Sequence, residues 1–587
     1  MPRPPAAIEW LSLAVILLHL FVAPYTKVEE SFHVQAVHDL LFRGPRPAAL
    51  SHYDHLSFPG VVPRTFIGAL LLASLSAAPV YLVQFGRRIG QHALIWLAYH
   101  APRLAATIPA FLYPWPEPRR SALLIVRLLL GTLTWLSLMA VRRALPWPDA
   151  RTFYGIITAS QFHLLFYASR PLSNTFALIL TNAALACRLQ GVDDAGAVLV
   201  AVAAAVFRFE LALLLMLLFL ADAWRAGRSR TAWRALCRRA ALALFSAAAA
   251  AALSVVVDSY FWRRRVYPEW EAFRFNAVAN RSHEWGTAPW HWYWTSALPR
   301  ALLFIPTYVP LLPIALLGWT EARQLALPYL GYVACMSALP HKELRFVFYV
   351  LPVANAAAAV VLGAAFRYGW SPVSDEKIAR AASALTELDA RPYYEVVRET
   401  DRKLWTRRFA AVCCALLVLA AAVSHTVFLG VSCRNYPGAE ALLALHRVHA
   451  TTTTTTTSAA ADAPACARPH VHIDAAAASS GISLFLHIPA WHYSKREYAP
   501  GQRVDWRQYT HLVTERTAEA GFERVYSARA PDAWLRQYPF VRFAERIHVL
   551  RRRQERLQRS EAEDDVGEEA RQALLLPGCW PARLPWS

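Results

Sequence analysis

Long apolar blocks, repeated along most of the chain, restrict this sequence more than any other feature. Leu11–Pro24, Ala122–Ala140, Ala240–Val257 and Ala410–Leu429 are the plainest. A helix crosses the hydrocarbon of a bilayer with about 20 mostly apolar residues. Helices and closed barrels alone satisfy every backbone polar group there. Charged residues make up 17% of the chain, against about a quarter in soluble domains. The residues therefore predict an all-α polytopic membrane protein. Candidate spans lie near 8–24, 62–84, 91–112, 121–141, 152–168, 173–188, 195–207, 210–224, 237–257, 298–317, 324–340, 344–364 and 409–430. The total is about 11–13 transmembrane helices. It depends on whether 91–112, with His100 and Arg103, crosses, and on whether 195–224 is one helix or two. Two short helices meeting at Arg208 and Glu210 keep those charges out of hydrocarbon, where each costs several kcal/mol.

The net charge is +20. A basic balance can signal nucleic-acid binding, but here it fits basic residues gathered at cytoplasmic ends of spans, so no nucleic-acid partner is expected. Residues 223–239 carry six arginines and no acid, and 366–408 carry nine Lys and Arg. Both are read as cytoplasmic. Segments 25–61, 169–172, 208–209, 258–297, 341–343 and everything after 430 then face the opposite, lumenal side. Asn280-Arg281-Ser282, an N-glycosylation sequon, falls within one of these. Arg263-Arg264-Arg265 run against the rule. No cleavable signal peptide is read at the start, because charged Lys27-Val28-Glu29-Glu30 follows the first apolar block.

Composition divides the chain into a membrane domain at 1–430, a small lumenal domain at 431–540 with a Thr/Ala insert, and a charged, flexible tail at 541–587. Thr451–Thr457 reads as a disordered linker, and 545–571 as a solvated helix. The eight cysteines (187, 237, 335, 413, 414, 433, 466, 579) lack ligand spacing, so no structural metal is expected. In a lumenal tail two of Cys433, Cys466 and Cys579 can pair; which two stays open.

Four polar clusters fall on the predicted lumenal side. Tyr25–His33 holds adjacent Glu29 and Glu30 beside Lys27. Transfer of a sugar to a hydroxyl needs a base, and adjacent helical residues diverge by about 100°, so one carboxylate faces a substrate and the other holds a sugar hydroxyl or a helix end. His52-Tyr53-Asp54-His55 precedes Pro59, Gly60 and Pro63, a rigid turn; Arg64 beyond it meets a phosphate or snorkels to headgroups. His341-Lys342-Glu343-Leu344-Arg345 offers cations at the depth of a lipid phosphate. Arg170, Asn174, Arg208 and Glu210 form the fourth cluster with the aromatic loop Trp285–Trp294, where His283, Glu284, His291 and Trp292 can contact sugars. Each cluster alone has a plainer reading, as a solvated cap, a basic membrane edge or an aromatic anchor.

Together, in this order, the clusters carry a resemblance. Tyr25–His38 looks like the acidic first lumenal loop, and Pro340–Pro352 (PHKELRFVFYVLP) like the His-Lys-Glu-x-Arg-Phe box, of the dolichyl-phosphate-mannose-dependent mannosyltransferases. That group, glycosyltransferase family 22, has the membrane-embedded GT-C fold and includes N-glycan and GPI-anchor enzymes. YTKVEESFHVQAVHD, YDHLSFPGVVPRTFIG, FRFELALLL and RSHEWGTAPWHWYWTSALPR, with Val471-His472-Ile473-Asp474 and Gly481-Ile482-Ser483 in the tail, most resemble the branch forming the α-1,6 linkage of the eighth mannose. The likeness covers roughly 8–540.

The resemblance implies an endoplasmic-reticulum membrane enzyme with a lumenal active site. The donor would be dolichyl-phosphate-mannose and the acceptor a lipid-linked seven-mannose oligosaccharide. The reaction would be one inverting displacement, with no nucleotide, no cofactor and no required metal. Glu29 takes the position of the family's base, with Glu30 second. Lys342, Arg345, His341 and Arg208 would hold the donor phosphate. Lys27, Asp54, His55, Arg64, Glu284, Trp285, His291 and Trp292 would meet the acceptor or a sugar. A sibling α-1,2 or GPI-anchor transferase is the alternative. A transporter is the remote one, since it would place ionisable groups at the midplane.

Overall fold

A computed structural model describes residues 7–100, 118–279, 281–386, 391–455, 468–498, 502, 504–534 and 541–553. The chain forms two units. One holds the described residues to Pro24 and from Ala36 to Gly430, apart from 118–120; the other holds Tyr25–Gln35, 118–120 and the described residues from Val431 on.

The first unit is helical. Among the described residues five helices are long and apolar enough to cross a membrane: Ile67–Gly86, Arg119–Ala144, Arg230–Trp262, Val350–Trp370 and Arg391–Ser432. Ala7–Val22 and Thr307–Gly318 are shorter apolar helices. The expected spans 62–84 and 91–112 are not separate as far as His100: one helix runs from Ile67 to His100, and 101–112 lie outside the described residues. It starts after the Pro59–Pro63 turn, at Ile67, whose N–H donates to Thr65 Oγ1 at 3.2 Å. The expected span 152–168 breaks at Gln161, whose side-chain amide pairs with Asn355 through bonds of 2.7 and 3.0 Å. The stretch 298–317 is a chain of short α and π turns, because Pro299, Pro310 and Pro313 each remove a backbone donor. The polar segment 366–408 is not a loop throughout. It contains the helix Asp375–Thr386, and the helix Arg391–Ser432 starts on its polar side. The helices expected at 195–207 and 210–224 are separate, Asp193–Val206 and Leu211–Ala226.

Small residues let these helices approach closely. A Cβ on Gly363, in Val350–Trp370, would lie 2.7 Å from the Ala150 nitrogen of Pro148–Ser160, so any side chain there forces the pair apart. Charges collect where helices end. Asp222 receives Arg188, Arg225 and Arg239, and Arg239 also reaches Asp193 and Asp194. At the start of Ala7–Val22, buried Glu9 is held by Arg142 and Arg143, while its carbonyl accepts from Trp135 Nε1 at 2.8 Å.

The second unit is α/β. Strand β1 (Thr26–Lys27) pairs antiparallel with β3 (Ser480–Gly481). The remaining strands are β2 (His470–Ile473), β4 (His492–Ser494), β5 (His511–Thr514), β6 (Phe522–Trp534) and β7 (Val541–Arg552), in the sheet order β4-β2-β5-β7-β6. β2 is parallel to β4 and β5, and the rest of the sheet is antiparallel. Two expectations change here. The tail drawn from 541 begins as β7, and 545–552 is strand rather than helix: it pairs with β5 and β6, and Ile547–Leu550 is buried on both faces. Thr451–Thr455 continue the helix Pro437–Thr455, since a helix already nucleated by Ala439–Leu445 extends at little cost. Thr456, Thr457, Cys466, Cys579, Asn280 and 554–587 lie outside the described residues.

Removing Glu9 leaves the Arg142 guanidinium buried without its partner, a loss that typically costs about 3–5 kcal/mol. Glu9→Ala is therefore expected to lower the melting temperature of the protein in lipid nanodiscs well below that of Arg143→Ala, whose side chain is half exposed. Equal melting temperatures would show that the buried pair is not a major contributor to stability.

Candidate active site

The acidic loop of the second unit is fixed residue by residue. Lys27 is extended (φ −98°, ψ 162°), and Val28–Glu30 forms one 3₁₀ turn. Glu30 is buried, and its Oε1 accepts from the Lys27 N–H at 2.8 Å, which caps that turn. The Lys27 ammonium donates to the Asn435 carbonyl at 2.6 Å and lies 4.8 Å from the Tyr436 ring. Gln35 Oε1 accepts from the Leu484 N–H at 2.9 Å. Glu29, between these anchored neighbours, is only partly buried. The two carboxylates therefore differ in kind: Glu30 is committed to the turn that presents Glu29.

In the first unit, three segments bring cations together. Arg64 follows the Pro63 turn, and its carbonyl accepts from Trp262 Nε1 at 3.1 Å. Arg208 stands at the junction of Asp193–Val206 and Leu211–Ala226, where its Nε donates to Glu210 Oε1 at 2.6 Å and its guanidinium lies 5.1 Å from the Phe346 ring. Arg345 donates to Glu343 at 2.6 Å, and a His341 ring nitrogen lies 3.0 Å from the same carboxylate. Asn174 donates to the Arg345 carbonyl at 2.9 Å, and Tyr332 to the Phe346 carbonyl at 2.7 Å. Glu269, on Pro268–Phe273, completes the group by accepting from the Phe209 N–H at 2.8 Å.

The charges act on one another. Burial, then Arg345 and Arg208, bring the Arg64 guanidinium down to about 10. Burial opposes the charge on Arg208, but Glu210, with Tyr349 and Glu269, outweighs it and holds Arg208 above its ordinary value. Burial works against Glu343 as well, yet Arg345 and His341 keep its carboxyl below the usual range. Burial lifts Glu269 to about 7, with Glu210 adding to the lift and Arg208 countering it. Two guanidinia thus lower a third, so positive charge is concentrated where the three segments meet.

Other expected site residues are placed differently. Lys342 Nζ donates to the carbonyls of Ala288, at 3.0 Å, and Leu339. With the Ala288 N–H on the Pro340 carbonyl, it stitches the aromatic loop to the His341–Arg345 segment. The Asp54 N–H donates to Asp39 at 2.8 Å. His55 is buried, 3.0 Å from the Phe261 carbonyl and packed on Phe66 and Trp262, so it serves the core. Glu284 is paired with Arg281, and His291 lies 2.9 Å from Thr295 Oγ1. Trp292 is half-buried beside Tyr293, and the Trp285 side chain lies outside the described residues. Among the described residues no three His, Cys, Asp or Glu side chains converge as a metal site. Glu269 was not singled out by the sequence: an acid in the first turn of a helix ordinarily complements the helix dipole.

Residues 9–487 match the Alg9-like mannosyltransferase family. The chain belongs to that family. A Drosophila melanogaster Dol-P-Man:Man(7)GlcNAc(2)-PP-Dol α-1,6-mannosyltransferase is 34% identical over 85% of this chain and 61% of the relative. The Arabidopsis thaliana protein of the same name is 32% identical over 87% of each. The chain thus spans less than two thirds of the fly relative and most of the plant one. ArnT from Cupriavidus metallidurans, solved with undecaprenyl phosphate, is 14% identical with a TM-score of 0.44, covering 80% of this chain and 83% of that one. This family member is a polytopic, mainly helical membrane protein.

Glu269 carries a pH signature. A carboxyl raised from 4.5 to about 7 on folding binds its proton more tightly in the folded state. Its stabilising contribution is full below about 4.5 and is lost as pH rises through about 7. Glu269→Gln should therefore flatten the fall in melting temperature between pH 4.5 and 7. An unchanged slope would show that Glu269 is not raised.

Proposed function

We propose that the protein transfers mannose from dolichyl-phosphate-mannose, in α-1,6 linkage, to lipid-linked Man7GlcNAc2-PP-dolichol at the lumenal face of the endoplasmic-reticulum membrane. The long match to relatives of that activity supports the acceptor and linkage. The observation that carries the chemistry is the neighbourhood of Arg64, Arg208 and Arg345, three guanidinia of the kind that bind a phosphate.

The reaction is a single inverting displacement. The acceptor 6-hydroxyl attacks the anomeric carbon, the bond from that carbon to the phosphate oxygen breaks, and its electron pair leaves with dolichyl phosphate. Glu29 accepts the hydroxyl proton. Charge grows on the departing phosphate, so guanidinia fixed in place stabilise the transition state more than the ground state. They also supply the neutralisation for which other transferases use a divalent ion, and the rate is expected to withstand EDTA. Glu30 and Lys342 support the fold of the loops that carry these groups.

The deciding assay uses the full chain in nanodiscs with dolichyl-phosphate-mannose and a lipid-linked seven-mannose acceptor. Wild type should form an α-1,6-mannosylated product. Removing a general base typically costs about 10²–10⁴-fold, so Glu29→Gln should lose at least a hundredfold in kcat with little change in melting temperature. Glu30→Ala, which removes the cap's acceptor, should lower the melting temperature instead. A folded wild type that leaves this acceptor untouched but mannosylates an α-1,2 or GPI-anchor acceptor would overturn the α-1,6 assignment. Full activity in Glu29→Gln would overturn the base.

A further inference from the structure

The junction carrying Arg208 is not self-supporting. Between Val206 and Leu211 the chain leaves one helix and begins another, so several backbone groups lack helical partners. The Arg208 N–H is satisfied within its own turn, on the Ala203 carbonyl at 3.0 Å. The Phe209 N–H is not, and it donates to Glu269 Oε2 at 2.8 Å across sixty residues of sequence. The same short segment adds two more attachments. Tyr267 donates to the Ala205 carbonyl at 2.8 Å, and the Phe273 ring lies 4.7 Å from the Phe209 ring. Residues 267–273 thus hold 205–209 at a carbonyl, an N–H and a side chain.

We infer that Glu269 is a positioning residue: by holding the Phe209 N–H it fixes the junction that presents the Arg208 guanidinium to the carrier phosphate. The inference rests on the proposed phosphate role of Arg208. Glu210 fixes the guanidinium itself, whereas Glu269 fixes the backbone from which it springs, a task that needs an acceptor oxygen and no charge. Burial that lifts Glu269 to about 7 is consistent with that, since a protonated carboxyl retains its carbonyl oxygen as acceptor.

The test is a double-mutant cycle on the full-length protein in nanodiscs, reading KM for dolichyl-phosphate-mannose, kcat and melting temperature. A hydrogen bond to a charged or buried polar group is worth about a tenfold effect or more. Glu269→Ala is expected to raise donor KM about tenfold, Glu269→Gln to leave it within about twofold, and Glu269→Ala to add nothing in an Arg208→Ala background. Additivity of Glu269→Ala with Arg208→Ala, or a defect in Glu269→Gln equal to that in Glu269→Ala, overturns the positioning role. If Glu269→Ala does not fold, the Gln variant and its cycle with Arg208→Ala still decide, because a defect in the Gln variant that adds to Arg208→Ala overturns the inference, whereas wild-type KM in that variant upholds a charge-free role. An Arg208→Ala protein with wild-type donor KM would instead overturn the phosphate reading on which the inference stands.

Discussion

Arg127 lies fully buried within a helix otherwise suited to cross a membrane, and much of the first unit is organised around making that tolerable. Its guanidinium donates to the Ser169 carbonyl at 3.3 Å, to Ser169 Oγ at 3.4 Å and to the Ala23 carbonyl at 3.1 Å. Arg170 reaches the same Ala23 carbonyl and lies 4.2 Å from the Phe166 ring. Ala23 follows the helix Ala7–Val22, and Ser169 follows Phe162–Tyr167. Carbonyls past a helix end are the ones with no intrahelical partner, and they carry the negative end of the helix dipole. One buried cation therefore ties together two helix ends that would each be costly in an apolar surrounding. The same logic, with ion pairs instead of carbonyls, orders Arg188, Asp222 and Arg239 at the other ends of the neighbouring helices.

At the candidate site the balance is set differently. Arg127 is satisfied by carbonyls and has nothing left for a ligand to supply. Arg345 and Arg208 are near enough to lower Arg64, Glu210 and Glu343 pair directly with Arg208 and Arg345, and Glu269 acts on Arg64 and Arg208. The group stands on a junction and two turns rather than inside a helix, and its acids, Glu210, Glu269 and Glu343, lie among its guanidinia.

What was legible in the sequence divides along physical lines. Apolar length announces helices such as Ala7–Val22 and Arg230–Trp262, because hydrophobic content is the property that places them. It says little where backbone chemistry intervenes, as with the proline-broken turns between Leu298 and Gly318. Nor does it reveal a strand such as β7, whose buried Ile547–Leu550 stand among Arg542, Arg546 and Arg551. At the site, residues adjacent in sequence could be grouped by reading, and Arg208 with Glu210, or Glu343 with Arg345, do pair. Sequence shows that Lys342 and His55 carry polar groups but not that backbone carbonyls already occupy them. Glu269 meets Phe209 only after folding, and no local pattern distinguishes it from an ordinary first-turn acid.

Adjacent charged residues in this chain do unlike work, and backbone geometry decides which does what. Lys27 and Glu343 are both extended, so successive side chains leave the chain on opposite sides. In the His341–Arg345 segment, Lys342 goes to two carbonyls while His341 and Glu343 meet each other, and Arg345, in the 3₁₀ turn Leu344–Val347, comes back onto Glu343. In the acidic loop, the tight turn after Lys27 folds Glu30 back onto the Lys27 N–H and points Glu29 elsewhere. Each pair thus divides into a residue that fixes the local backbone and a neighbour held in place by that fixing. Moving either pair by one position would exchange which residue is anchored to the backbone and which is held beside it. The turn and the extended segment are as necessary to the site as the charges they carry.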